Sequence, residues 1–124
     1  MKILSVDDSA IIRKIIKMAV EVIEYEFLEA GDGEEALSII EKDYCNISLI
    51  LLDLNMPGIN GFELLKIIKS DDRFKNIPVM MVTTESEKLS IIKAIKSGAS
   101  HYVVKPFTME EVTKKMFEAL GKGE

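Results

Sequence analysis

Leu49-Ile50-Leu51-Leu52-Asp53-Leu54-Asn55-Met56-Pro57-Gly58 is an apolar run that stops at one carboxylate and then breaks into Pro and Gly. Its apolar half does not alternate, so it reads as a strand buried on both faces. Pro57 and Gly58 force a loop. Asp53 therefore stands at the carboxyl end of a central strand, where an open α/β sheet places its ligand crevice.

The rest of the chain repeats this strand-then-helix grammar. Apolar segments at 2–6, 25–30, 47–53, 78–83 and 101–104 read as strands. Each precedes a segment of helical period, at 10–22, 34–42, 61–70, 85–97 and 108–120. Asp8 or Ser9 caps the first helix and Thr108 the last, because their side-chain oxygens accept from free backbone N–H groups there. Ile12, Ile15, Ile16, Ala19, Val20 and Ile23 form the inward face of the first helix, with Arg13, Lys14, Lys17 and Glu21 outside it. Gly98 stops the fourth helix. Pro78 opens a strand, where its missing N–H does least harm. Five such units predict an α/β fold, with a doubly wound, five-stranded parallel sheet and helices on both faces.

Composition narrows the function. The 124 residues fit one domain, residues 1–124, with no output domain attached. No apolar run approaches the roughly 18 residues of a membrane span, and the acidic start at Asp7 and Asp8 comes too soon for a signal peptide. The one cysteine, Cys45, excludes an internal disulfide, fits a reducing cytoplasm and is expected to pack. A net charge of −5 argues against a general nucleic-acid surface. The seven methionines read as core filler, and His101 as a strand-end residue.

Parallel strands gather the residues that follow them at one sheet edge. These are Asp7 and Asp8 after the first strand, Asp53 after the third, Thr83 and Thr84 at the fourth, and Lys105 after the fifth. Three clustered carboxylates repel one another unless something neutralises them. A divalent cation with oxygen ligands answers that need, and Mg²⁺ takes one or two carboxylates plus water and phosphate oxygens. Lys105 adds a compact cation for an anion, and the Thr83 hydroxyl a donor. The set fits a phosphoryl group carried on a carboxylate.

Two other motifs give way. Gly31-Asp32-Gly33-Glu34-Glu35-Ala36 matches a dinucleotide fingerprint, but it follows the second strand, and its acids occupy the helix N-terminus that a pyrophosphate needs. Asp53-Leu54-Asn55 echoes the Asp-x-Asp of haloacid-dehalogenase phosphatases, but the second acid is an amide, which cannot take a proton from water. An acyl phosphate on Asp53 is therefore expected to persist, which suits a signal better than a catalyst.

Val6-Asp7-Asp8, Asp53-Leu54-Asn55-Met56-Pro57-Gly58 with Gly61, Val82-Thr83, Gly98-Ala99 and Tyr102-Val103-Val104-Lys105-Pro106-Phe107 together resemble a response-regulator receiver domain of the stand-alone chemotaxis type, over essentially all of the chain. The strand order 2-1-3-4-5 comes with this resemblance, since that family is a standard example of the order, and not from the residue pattern. The resemblance implies that Asp53 accepts the phosphoryl group. It implies that Asp8, Asp53 and the Asn55 carbonyl bind Mg²⁺, with Asp7 helping through water. It further implies that Lys105 pairs with the phosphoryl oxygens, that Thr83 swings toward them with Tyr102 following inward, and that the peptide before Pro106 is cis.

The implied partners are a sensor histidine kinase or histidine phosphotransfer domain, and downstream a protein such as the flagellar switch. The implied protein is a monomeric cytoplasmic signalling protein and no enzyme, apart from catalysing its own phosphorylation and dephosphorylation. Lys88, Ile91, Tyr102, Val104, Lys115 and Lys122 are the candidates for its partner face, with Ile91 exposed. Thr84 stands where the family usually has a smaller residue, so it is expected to narrow access to Asp53, and Leu54 replaces a common Trp. Asn55 and Glu85 agree with the chemotaxis subgroup. A phosphorelay intermediate, a Mg²⁺-dependent phosphatase and a flavodoxin-like cofactor binder remain open alternatives.

Overall fold

The protein is represented by a computed structural model that describes residues 1–84 and 88–121. Five strands form one sheet: β1 (Lys2–Val6), β2 (Glu26–Ala30), β3 (Ile47–Asp53), β4 (Val79–Thr84) and β5 (His101–Lys105). All neighbours pair in parallel, in the order β2-β1-β3-β4-β5. The helices between and after them are α1 (Ala10–Val22), α2 (Gly33–Asp43), α3 (Gly61–Ser70), α4 (Lys88–Lys96) and α5 (Met109–Ala119). Predicted boundaries at 25, 34, 78 and 108 move by one residue. The predicted start of the fourth helix, at 85–87, and the partner-face candidate Lys122 lie outside the described residues.

β3 is the central strand, and it is buried from Leu49 onward. Its side chains alternate between two cores. Leu49 and Leu51 pack with Ile16, Val20, Val112 and Met116 of α1 and α5. Ile50 and Leu52 pack with Ile40, Leu64, Leu65 and Ile68 of α2 and α3. This is why the run in the sequence lacks alternation: each face has its own helical layer. Among the described residues no helix is long and apolar enough to cross a membrane.

The caps follow the sequence. Ser9, rather than Asp8, accepts from the Ile12 N–H at the start of α1. Asn60 with Glu63, and Thr108 with Glu111, form reciprocal capping boxes on α3 and α5. Asp32 caps α2, and Glu34 and Glu35 occupy its first turn, so the glycine-rich turn is built for a helix dipole and not for a phosphate.

Three expectations are corrected. Ile91 is only 8% exposed, because it shares with Ala94 the face of α4 that meets the sheet; Ile92 and Ile95 point outward instead, at 52% and 41%. Cys45 is exposed, because it sits in a short 3-10 turn (Tyr44–Asn46) before β3 and not in a layer. Met56, Met80, Met81 and Met116 fill the core, whereas Met1, Met18 and Met109 are exposed.

α3 is docked directly onto the end of β3. The Gly61 N–H donates to the Leu54 carbonyl at 3.1 Å. A Cβ at Gly61 would overlap the Asp53 carbonyl oxygen and come within 2.8 Å of its carbonyl carbon and of the Leu54 Cα. Backbone on all three sides cannot yield as a side chain does. Gly61→Ala is therefore expected to lower stability by about 3 kcal/mol or more, read by urea unfolding; a loss under about 1 kcal/mol would mean that α3 can slide away from β3.

Candidate functional site

The strand registers assemble the site. Val6 pairs with Leu52, Asp53 with Val82, Thr83 with Val104 and Thr84 with Lys105. The ends of β1, β3, β4 and β5 therefore share one sheet edge. Carboxylate oxygens of Asp7, Asp8 and Asp53 all lie within 4.8 Å of one another. Asp7 and Asp53 are buried, at 1% and 4% exposure, and Asp8 is exposed.

Lys105 reaches back across the edge to both buried acids. Its Nζ is 3.1 Å from Asp7 Oδ2 and 3.4 Å from Asp53 Oδ1. The peptide that follows it, Lys105–Pro106, is cis. Asp53 Oδ1 also accepts from the Asn55 N–H at 3.3 Å, and Asp7 Oδ1 from the Ser9 N–H at 2.8 Å. Asp7 Oδ2 is buried and meets Lys105 only as an ion pair, out of line for a hydrogen bond.

The electrostatics follow from this packing. Burial, and then the charge of Asp7, push the Asp53 carboxyl up to about 6; Lys105 and the Asn55 N–H hold it back from going further. Burial works against the Lys105 ammonium, but its contact with Asp7 and the charges of both acids outweigh burial and keep its pKa above the ordinary lysine value.

The other predicted residues divide. Thr83 is buried at the end of β4, and its hydroxyl donates to the Thr84 carbonyl at 3.4 Å. Thr84 is exposed. Asn55 is exposed, and its backbone N–H belongs to the site. Tyr102, 42% exposed, lies outside the acidic pocket, with the Lys115 ammonium 6.0 Å from its ring centroid. With Lys88, Ile91, Ile92, Ile95 and Lys96 it lines a shallow groove of about 470 Å³. Val104 and Lys115 line a neighbouring recess between β5 and α5. Sequence reasoning placed Arg13 on the outer face of α1; the structure folds it back onto the Asp7 carbonyl.

The raised Asp53 pKa sets a pH dependence. The folded state keeps the proton up to about pH 6, the unfolded chain only to about pH 3.9. The folded state thus binds more protons in this window, and stability falls as pH rises through it. Two pH units correspond to about 3 kcal/mol, reduced to about 1–2 by water at the open mouth of the site. Asp53→Asn removes that penalty. In chelator-treated protein it is expected to be about 1–2 kcal/mol more stable at pH 7.5, with the gain vanishing near pH 4, as read by urea unfolding at each pH. A destabilised variant at pH 7.5 would contradict this account.

Residues 3–117 match the family model of the response regulator receiver domain. The chain is 43% identical over 122 residues to the chemotaxis protein CheY1 of Helicobacter pylori, covering 98% of each protein. It is 41% identical to the chemotaxis protein CheY of Pseudomonas aeruginosa, covering 95% of this chain and 97% of that one. The solved structure of the chemotaxis response regulator CheY4 of Vibrio cholerae superposes with a TM-score of 0.87 at 34% identity, over 95% of this chain and 97% of the other. The sheet order, the acids and lysine at its edge and these full-length likenesses agree: the chain belongs to the response regulator receiver domains.

Proposed function

We propose that this receiver domain is a chemotaxis response regulator that accepts a phosphoryl group on Asp53 from a histidine kinase in the cytoplasm. The observation that carries this is the placement of Asp53. It is a buried carboxylate at the mouth of the sheet, with Lys105 on one oxygen and two further acids within 4.8 Å. A carboxylate oxygen of Asp53 forms the new bond to phosphorus as the bond from phosphorus to the donor nitrogen breaks, and the electron pair of that bond returns to the histidine.

The donor set fits Mg²⁺, since every candidate ligand is oxygen. Asp7 Oδ2 is buried without a hydrogen bond, and the Asp8 carboxylate carries none among the described residues. Asp8, Asp53 and the Asn55 carbonyl would hold the ion, with Asp7 acting through water. When bound, it supplies the positive charge that lets acids and phosphoryl oxygens share one pocket.

Phosphorylation adds about −1.5 to −2 charge and three acceptor oxygens. Lys105 is already at hand as a cation. The Thr83 hydroxyl, buried at the end of β4 and bonded to the Thr84 carbonyl at 3.4 Å, is a donor that can turn to a phosphoryl oxygen. A charged hydrogen bond is worth roughly 1.5–3 kcal/mol, enough to shift a two-state equilibrium about tenfold or more. β4 carries this to β5, because Thr83 pairs with Val104 and Met81 with Tyr102. The responding face is then the groove beside Tyr102. Lys88, Lys96, Lys114 and Lys115 give it a basic rim on an acidic protein, which suits an acidic segment of a motor component.

Acetyl phosphate with Mg²⁺ is expected to add one phosphoryl group, located on Asp53 by peptide mass spectrometry, and Asp53→Asn to add none; incorporation elsewhere would move the acceptor. Thr83→Ala and Lys105→Ala are both expected to bind Mg²⁺ yet lose at least about tenfold of the phosphorylation-driven gain in partner affinity, measured with a flagellar switch peptide. A full gain in either variant would remove that residue from the switch.

A further inference from the structure

We infer that Arg13 is a positioning residue for the metal-binding acids, acting through the peptide that joins Asp7 to Asp8. The inference rests on the Mg²⁺ site proposed above. In the first turn of α1, Arg13 Nη1 donates to the Asp7 carbonyl oxygen at 2.6 Å. Its Nε donates to Glu29 Oε1 on β2 at 2.7 Å. The side chain is 19% exposed, so the fork is largely enclosed between the loop and the neighbouring strand.

Asp7 is thereby held at every polar point. Its N–H donates to the Ala30 carbonyl at 3.1 Å, Oδ1 accepts from Ser9, Oδ2 faces Lys105, and its carbonyl accepts from Arg13. Asp8 is different. Its carboxylate lies in the acidic cluster, yet makes no hydrogen bond or ion pair among the described residues. No side chain aims it; only its backbone does. The Asp7 carbonyl shares one rigid plane with the Asp8 N–H. Fixing that carbonyl fixes the plane, and the plane sets the direction in which Asp8 leaves the chain. Mg²⁺ demands near-ideal octahedral geometry, so an error in that direction appears as lost affinity.

The two-pronged contact makes geometry, and not charge alone, the operating part. Glu29 neutralises the guanidinium while orienting it. A lysine at this position would keep the charge but could not hold the carbonyl and Glu29 in one planar fork.

The test is Mg²⁺ titration of the full chain, followed by amide NMR, beside thermal melting in chelator. Groups that orient metal ligands typically change affinity 10–100-fold when removed. Arg13→Met is expected to weaken Mg²⁺ binding about tenfold, and Arg13→Lys nearly as much. Glu29→Met, which removes the acceptor of the Nε bond but leaves the carbonyl bond, is expected to weaken it about threefold. Saturating Mg²⁺ is expected to return the Arg13→Met rate of phosphorylation by acetyl phosphate to near the wild-type value, since only ion placement is impaired. Wild-type Mg²⁺ affinity in Arg13→Met, even with a lowered melting temperature, would reduce Arg13 to a structural contact. Wild-type affinity in Arg13→Lys would make the effect one of charge. Wild-type affinity in Glu29→Met would overturn the fork even where Arg13→Met does not fold. A wild-type chain that binds no Mg²⁺ would overturn the metal site itself, and this inference with it.

Discussion

Three carboxylates within 4.8 Å of one another repel, and the fold has to hold them there against that repulsion. The holding forces come from every direction. Lys105 bridges Asp7 and Asp53 from β5, backbone N–H groups of Ser9 and Asn55 steady one oxygen of each, and Arg13 grips the loop from α1. Burial first, and then the charge of Asp7, show in the raised pKa of Asp53. The acidic edge is thus held in place by the body beneath it.

The body beneath is correspondingly rigid on one side. β3 is buried on both faces between two helical layers, and α3 abuts the Asp53 carbonyl so closely that Gly61 has no room for a methyl group. The β4–β5 side is looser at its surface. Thr84 and Tyr102 are exposed, and α4 turns Ile92 and Ile95 outward beside them. The surface beside β4 and β5 is thus less tightly packed than the body around β3.

Much of this was legible from residue order. Runs such as 49–53 and the β-then-α alternation specify a parallel sheet, and a parallel sheet necessarily brings Asp7, Asp53, Thr83 and Lys105 to one edge. Two caps were readable too, Ser9 and Thr108, because Ser and Thr before an apolar period have a specific partner to satisfy, whereas Asp32 and Asn60 were not singled out. What escaped depends on how segments rotate and fold back. On α4, with three isoleucines within five positions, periodicity does not choose which faces the sheet; packing chose Ile91. On α1, Arg13 looked like any solvated arginine, because its partner is a backbone carbonyl, which no residue type announces. Cys45 followed a composition rule that a short turn before β3 does not obey.

That cysteine has a practical side. Cys45 is the sole thiol in the sequence, it is exposed, and it precedes β3 at the edge opposite Asp53. A seven-residue strand separates the two ends by about 20 Å. A dye or spin label coupled there would attach at a single point and stay clear of the acidic edge, with no competing thiol to remove. The same exposure lets two chains join through an intermolecular disulfide in air, so a dimer observed without reductant has to be tested with reductant before it is read as a non-covalent one.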